Sequence, residues 1–146
     1  MIYRDQNGDN QVLGTSLLLL RGDRERRVLL SSGGRQVLSA AQLTDLANKI
    51  RGWQFEVEQT EDLSDLTKLQ RAGVVILGNQ WGGFTSQELD AILQFVKDGG
   101  GLLAVGLGWS WEQARPGAPK RPMDQYPMNQ LVGHFGAAFT EKPIFQ

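Results

Sequence analysis

Short runs of apolar residues recur along the chain at spacings that suit a sheet whose strands alternate with helices. Three of them, Val28–Leu30, Val74–Leu77 and Leu102–Val105, are apolar at every position. A run without polar positions predicts a strand that is covered on both faces. Trp53–Val57 instead alternates apolar with polar residues, which predicts a strand nearer the edge of the sheet.

Between these runs, apolar residues recur at every third or fourth position. One such stripe extends from Leu43 to Ile50, and a second, more regular one extends from Leu89 to Val96. This period predicts helices that each bury one face. A shorter helix is predicted within Ser64–Ala72. Both long stripes follow a capping box, in which the side chains of the first and fourth residues bond each other's backbone. The capping pairs are Ser39 with Gln42 and Thr85 with Glu88.

This alternation predicts an α/β fold with a flavodoxin-like, doubly wound and mainly parallel sheet. At the ends we expect an extra N-terminal strand within Val12–Leu20, a short helix over Met128–Val132 and a final strand over Ala137–Thr140. The length of 146 residues suits a single domain that spans residues 1–146. We also expect this domain to be a fragment of a longer protein, because the last residues carry no obvious stop signal.

Composition narrows the classes of function. The formal net charge of −1 predicts no global attraction to nucleic acid or to an anionic membrane. The absence of cysteine excludes disulfides, thiolate metal sites and thiol catalysis. No apolar run approaches the roughly 18 residues of a membrane span. The compartment stays open, since a soluble cytoplasmic protein and an excised piece of a secreted protein fit equally well.

The segment Gly-Leu-Gly-Trp-Ser-Trp at residues 106–111 follows a predicted strand in the way that a nucleophile turn does. Residues 27–111 resemble the class I glutamine amidotransferase-like superfamily, which includes the ThuA-like proteins. In active amidotransferases a cysteine precedes Leu-Gly-His at this turn. Here Gly106 stands at the cysteine position and Trp109 at the histidine position, so the resemblance implies a domain without the catalytic thiol.

A narrower resemblance covers residues 99–140 and includes Tyr-Pro-Met-Asn at 126–129. This part is similar to the domain that precedes the catalytic part of enhancin-like, mucin-targeting metallopeptidases, and channel-associated factors carry a related domain. The His-Glu-x-x-His signature of the metallopeptidases is absent, and a single histidine, His134, cannot build that zinc site. The resemblance therefore implies a non-catalytic domain that accompanies chemistry located elsewhere, and we lean against an enzyme.

In doubly wound sheets, ligands bind beyond the carboxyl ends of the strands. The loops expected at that edge carry three of the four tryptophans, next to amide, hydroxyl and charged side chains. Flat aromatic faces beside hydrogen-bonding groups suit a sugar, so the loops predict a ligand crevice. Alternatively, the tryptophans are buried and the crevice is filled by residues 126–128. The predicted ligand-binding residues are Ser32, Arg35, Asn79, Gln80, Trp81, Trp109, Trp111 and Glu112.

Other motifs are weaker. Asp5-x-Asn7-x-Asp9 has the first ligand spacings of a calcium loop, but Asn10 replaces the usual glycine and Ser16 the final acid, so an exposed turn is expected. The Arg21–Asp23 tripeptide is expected in a hairpin turn. Ser31–Gly34 lacks the flanking residues of a phosphate loop. We therefore predict no metal and no cofactor.

Taken together, these patterns predict a non-catalytic domain for binding or scaffolding, with carbohydrate or a protein as its partner and with neither nucleic acid nor membrane. One alternative is a ThuA-like enzyme or binding protein of sugar metabolism that uses non-thiol residues in the same crevice. Another is a purely structural domain. The ligand's identity and the oligomeric state stay open.

Overall fold

A computed structural model describes residues 2–4, 10–12, 26–33, 39–112 and 119–141. The predictions made for Arg35, for the Asp5–Asp9 loop, for Arg21–Asp23 and for most of Val12–Leu20 lie outside these residues. The strands are β1 (Ile2–Arg4), β2 (Asn10–Val12), β3 (Arg27–Ser31), β4 (Glu56–Thr60), β5 (Val74–Leu77) and β6 (Gly101–Ala104). The helices are α1 (Ala40–Gly52), α2 (Leu66–Gln70), α3 (Ser86–Lys97), α4 (Gly108–Glu112) and α5 (Pro127–Val132), with single 3-10 turns at Met123–Gln125 and Gly133–Phe135.

The four longer strands form one sheet in the order β4-β3-β5-β6, and every neighbouring pair is parallel. Val28 of β3 aligns with Val57 of β4 on one side and with Val74 of β5 on the other. β1 and β2 pair with each other in a separate antiparallel ribbon. The predicted α/β class with a parallel sheet is therefore confirmed.

Helices cover both faces of this sheet, which explains the unbroken apolar runs at residues 28–30 of β3 and 74–77 of β5. Successive residues of a strand point to opposite faces. Leu29 packs into the cluster that holds Phe95 of α3, whereas Leu30 packs into the cluster that holds Ile50 of α1. Burying one such leucine contributes about 1.5–3 kcal/mol. Burial on both faces therefore determines which residues β3 and β5 can carry.

Both predicted capping boxes are present. The Ser39 backbone N–H donates to Gln42 Oε1 at 2.9 Å, and the Thr85 N–H donates to Glu88 Oε2 at 2.8 Å. The reciprocal bonds run from the backbone N–H of the Gln and Glu residues to the Ser and Thr hydroxyls. The predicted starts of α1 and α3 are therefore confirmed, as are the short helices α2 and α5.

The structure contradicts two predicted strands: one begins later than predicted, and the other is not a strand. The alternating run that begins at Trp53 becomes a strand only from Glu56, because Trp53 caps α1 and Gln54 turns the chain with a φ of 64°. Residues 137–140 form no strand. The backbone N–H and C=O of Phe139 instead bond the Asn129 side chain, so its pairing groups are satisfied without a neighbouring strand.

Candidate functional site

Asn79 joins three segments beyond the carboxyl edge of the sheet. It follows β5, is almost fully buried, and donates from Nδ2 to Ser110 Oγ of α4 at 3.1 Å. Its Oδ1 accepts the Tyr126 hydroxyl and, at 3.4 Å, the Leu107 backbone N–H. Burial raises the pKa of Tyr126 to about 12, so its phenol stays protonated and donates at neutral pH. Asn79 therefore links the end of β5, α4 and the segment that contains Tyr126 through buried hydrogen bonds.

Four aromatic rings, Trp81, Trp111, Tyr126 and Phe139, form what we call the aromatic cluster. Trp111 stacks on Tyr126 with ring centroids 5.5 Å apart, and Trp81 meets Trp111 edge-on at 6.4 Å. Phe139 meets Tyr126 edge-on at 5.9 Å. The Trp111 indole N–H donates to the Pro122 carbonyl at 3.0 Å, which fixes the ring plane. Such pairs contribute about 0.5–1.5 kcal/mol each beyond their buried area.

The aromatic cluster closes over Gly106, the residue at the position where active amidotransferases carry the catalytic cysteine. A Cβ at this residue would lie 2.7 Å from Tyr126 Oη and 3.0 Å from the Phe139 ring. Phe139 is held there because Asn129 bonds its backbone N–H at 2.7 Å and its carbonyl at 3.0 Å. The space that a nucleophile would need is therefore occupied by two rings.

Glu112, at the end of α4, is buried and forms an ion pair with the exposed Lys120 at 2.5 Å. The hydrogen bond to this carboxylate raises the pKa of Lys120. A carboxylate held in this way satisfies its charge inside the fold. The pair ties the end of α4 to the segment that leads to Tyr126, which brings the aromatic cluster together.

The predicted site residues do not all meet. Asn79, Trp81, Trp111 and Glu112 surround the start of the segment at 119–141, and Tyr126 and Met128 are fully buried beside them. Gln80 is buried beside Trp81, whereas two described residues stand apart: the Ser32 N–H bonds the Thr60 carbonyl at 2.8 Å, and Trp109 is 51% exposed. Their assignment to a ligand stays a prediction.

Among the described residues of this region, two buried polar atoms have no hydrogen-bond partner. They are Gln80 Oε1 and the indole Nε1 of Trp81. Gln80 uses its amide nitrogen for a long bond, 3.4 Å, to the Gly82 carbonyl. A buried donor or acceptor without a partner costs about 1–3 kcal/mol.

An apolar surface lies next to this cluster. Val105, Leu107 and Trp109 are 43%, 38% and 51% exposed. Val105 and Leu107 lie in the three residues that link β6 to α4, and Trp109 is the second residue of α4. We call them the exposed apolar segment. The same helix that buries Trp111 therefore presents Trp109 to solvent. The sequence placed Trp109 in a ligand crevice but had no means to separate it from Trp111.

His134 is exposed in the 3-10 turn after α5. Across residues 26–33, 39–112 and 119–141, no three Asp, Glu or His side chains gather in a way that could hold a metal ion. None of the helices in those ranges has the length and apolar character needed to cross a membrane.

Comparison with known proteins gives a family match over part of the chain. Residues 80–146 match the family described as "TRPM8, N-terminal domain". A Xenopus laevis protein named "TRPM8 channel-associated factor homolog" is 33% identical over 61 residues, which are 42% of this chain and only 6% of that protein. The matched region begins just after β5 and contains both the exposed apolar segment and the aromatic cluster.

A solved structure, "mmIFT52 N-terminal domain", superposes with a TM-score of 0.50 at 19% identity. It covers 57% of this chain, and the aligned part is 37% of that structure. At this identity the likeness concerns the fold alone. It agrees with the α/β architecture described above.

These findings correct the resemblance inferred from the sequence. The matches give no support to the amidotransferase-like superfamily, to ThuA-like proteins or to carbohydrate binding. The resemblance rested on the strand and the glycine turn at Gly106. Many parallel sheets have such a turn, and only a nucleophile at that position would identify an amidotransferase. Over residues 80–146 the chain is similar to the family described as "TRPM8, N-terminal domain", and the amidotransferase assignment is wrong.

Proposed function

We propose that this chain is a non-catalytic domain that binds a protein partner through the exposed apolar segment, Val105, Leu107 and Trp109. The observation that carries this proposal is that three large apolar side chains, each 38–51% exposed, lie within five residues. Contiguous apolar exposure next to polar residues is typical of protein interaction surfaces. Tryptophan is also the residue type most enriched among the side chains that dominate binding energy.

The area available is sufficient for an anchor. A tryptophan side chain offers up to roughly 250 Å², so half exposure at Trp109 leaves about 125 Å² to be buried. At about 25 cal/mol per Å² this corresponds to roughly 3 kcal/mol, about a hundredfold in affinity before the costs of association. Val105 and Leu107 add smaller areas beside it.

The name of the Xenopus relative supports a protein as the partner, since it describes a factor associated with a channel. The match covers only 6% of that relative, so the segment compared is a small part of a much longer protein. We therefore propose that this domain also belongs to a longer protein and supplies one of its contact surfaces.

The filled turn at Gly106 supports a non-catalytic role, because Tyr126 and Phe139 occupy the space above it. We do not extend the proposal to carbohydrate. Trp111 is stacked on Tyr126 and buried, so the loops do not present two open tryptophan faces between which a sugar ring could stack.

We also propose a flavodoxin-like sheet for this domain. Its four parallel strands lie in the order second, first, third, fourth along the sheet, which is the beginning of the flavodoxin-like order. A crystal structure of the longer protein would test this, since a fifth strand beside β6 would complete that order and a different neighbour would contradict it.

The exposed apolar segment can be tested with two matched tryptophans. The full-length protein, its Trp109→Ser variant and its Trp53→Ser variant are used to capture proteins from source cells, with quantitative mass spectrometry. Trp53 is 71% exposed but lies at the end of α1, far along the chain from the segment. We expect a partner that the wild type and Trp53→Ser retain and that Trp109→Ser loses.

Affinity is then measured with the purified partner. A buried anchor of this kind predicts that Trp109→Ser weakens binding by about thirtyfold or more, which corresponds to 2 kcal/mol. If Trp109→Ser and Trp53→Ser retain the same proteins with equal affinity, the exposed apolar segment is not the binding surface and the proposal fails.

A further inference from the structure

Arg121 lies at the rim of the aromatic cluster with its guanidinium over two tryptophan rings. The guanidinium carbon is 4.7 Å from the centre of Trp111 and 5.7 Å from that of Trp81. Across the part of the chain that the structure describes, its contacts are these two rings and the backbone bond from its N–H to the Glu112 carbonyl at 3.3 Å. The five guanidinium N–H donors therefore face no protein acceptor there.

The guanidinium is held in place before any ligand arrives. Trp111 is fixed by its bond to Pro122, the residue after Arg121, and by stacking on Tyr126. The backbone bond to Glu112 fixes the residue that carries the guanidinium. An arginine stacked on aromatic faces keeps its planar donors in one orientation, so less rotamer entropy is lost when it binds.

The ion pairs near Arg121 leave its guanidinium open to an acceptor. The neighbouring Lys120 is paired with Glu112, whereas Arg121 forms no ion pair with a carboxylate among the described residues. A carboxylate offers two oxygens that fit the planar guanidinium fork.

We infer that Arg121, supported by Trp81 and Trp111, binds a carboxylate of an acidic segment in the partner protein. This rests on the proposed function, because α4 carries both Trp109 of the exposed apolar segment and Trp111, on which Arg121 lies. Trp109 and Trp111 are two positions apart and lie on different sides of α4. A partner segment long enough to pass around α4 would place an acidic side chain at Arg121 and apolar side chains at Trp109. The partner is thereby specified by chemistry as an acidic and apolar protein segment.

The test uses two peptides that differ only in charge, acetyl-Leu-Glu-Leu-Glu-Leu-Glu-amide and its counterpart with glutamine at each glutamate. Each is titrated into the ¹⁵N-labelled protein while the Arg121 Nε–Hε and the Trp81 and Trp111 indole cross-peaks are followed by NMR. We expect the glutamate peptide to shift these cross-peaks saturably and to bind about tenfold or more tightly than the glutamine peptide.

Variants of the protein distinguish binding by the planar Arg121 guanidinium from general attraction to positive charge. Arg121→Gln is expected to remove the preference for glutamate, and Arg121→Lys to keep only part of it, because an ammonium lacks the planar fork. Arg71→Gln is the matched control, since Arg71 is an exposed arginine that ends α2. Dispersed NMR spectra of each variant verify that it folds.

The inference would be overturned if the two peptides bind equally well or if neither peptide shifts the Arg121 cross-peak. It would also be overturned if inorganic phosphate displaces the glutamate peptide at lower concentration than acetate does. Equal binding of both peptides, weakened by Trp109→Ser, would remove the carboxylate anchor while leaving the proposed apolar surface intact. The experiment can therefore refute the carboxylate site at Arg121 without refuting the proposed apolar binding surface.

Discussion

Replacing Tyr126 by Phe removes one hydroxyl from the centre of the aromatic cluster and leaves the ring. Phenylalanine keeps the stacking on Trp111 and the edge contact with Phe139, so the perturbation is confined to the bond that the hydroxyl donates to Asn79. Asn79 Oδ1 then retains only the long bond from the Leu107 N–H at 3.4 Å. A buried acceptor is left largely unsatisfied.

The cost follows from this burial. An unsatisfied buried acceptor costs about 1–3 kcal/mol, so we expect Tyr126→Phe to lower the free energy of unfolding by about 2 kcal/mol. For a chain of 146 residues, each kcal/mol corresponds to roughly 3 °C in Tm. The expected fall in Tm is therefore about 6 °C.

Burial of the same hydroxyl, which raises the pKa of Tyr126, predicts that stability depends on pH. The Tyr126 pKa is about 12 in the folded chain against 10.0 in the unfolded one, so the folded state holds the proton more tightly. The stability linked to this proton is fully present below pH 10 and is lost as the pH rises through 12. The difference in stability between wild type and Tyr126→Phe should therefore shrink between these two values.

Urea unfolding followed by tryptophan fluorescence measures both effects, and a double-mutant cycle with Asn79→Ala isolates the pair. We expect a coupling energy between the two residues of about 1 kcal/mol or more. A Tyr126→Phe variant as stable as the wild type, or a coupling energy near zero, would refute the assignment of Asn79 and Tyr126 as the polar centre of the site.

Three further predictions concern the same region and its supports. Gly106→Ala should lower the free energy of unfolding by about 1–3 kcal/mol, because a Cβ there meets Tyr126 and Phe139. Gly133→Ala is the control and should be neutral or stabilising, because Gly133 lies in open space at a φ of −57°. Equal effects of the two variants in thermal unfolding would contradict the packing of the two rings over Gly106. Asn129→Ala should release residues 139–140 and lower protection of the Phe139 amide in hydrogen exchange, and unchanged protection would show that this bond is not its source. Thr85→Ala should cost about 1 kcal/mol in urea unfolding because it removes the α3 cap, and Thr85→Ser should cost much less.

Local patterns in the sequence were sufficient for most of the secondary structure. Residues 28–30 of β3 and all of β5 are apolar because both of their faces are buried, and that requirement is visible in the sequence before any fold is known. The starts of α1 and α3 were equally visible, since a capping box is closed between residues only three positions apart. Such features depend on near neighbours in the chain.

The candidate site depended on contacts between distant residues. Asn79 and Tyr126 are 47 positions apart, and nothing in either local sequence indicates that one donates to the other. Trp109 and Trp111 look alike in sequence, but α4 buries one ring and exposes the other. Which tryptophan is a structural ring and which is available to a partner was decided only when the segment at 119–141 packed against the sheet.

The sequence by itself thus determined the class of fold, through the period of its apolar residues, and it excluded thiol chemistry, through the absence of cysteine. It did not determine family resemblance at Gly106, because glycine is required there by the Tyr126 and Phe139 rings that pack over it, and these rings lie far along the chain. Only the tertiary structure decided that Tyr126 and Phe139 fill this turn and that Arg121 rests on two tryptophans. The physical reason is that burial, ring stacking and charge pairing are properties of surfaces brought together by folding, and a linear pattern does not contain them.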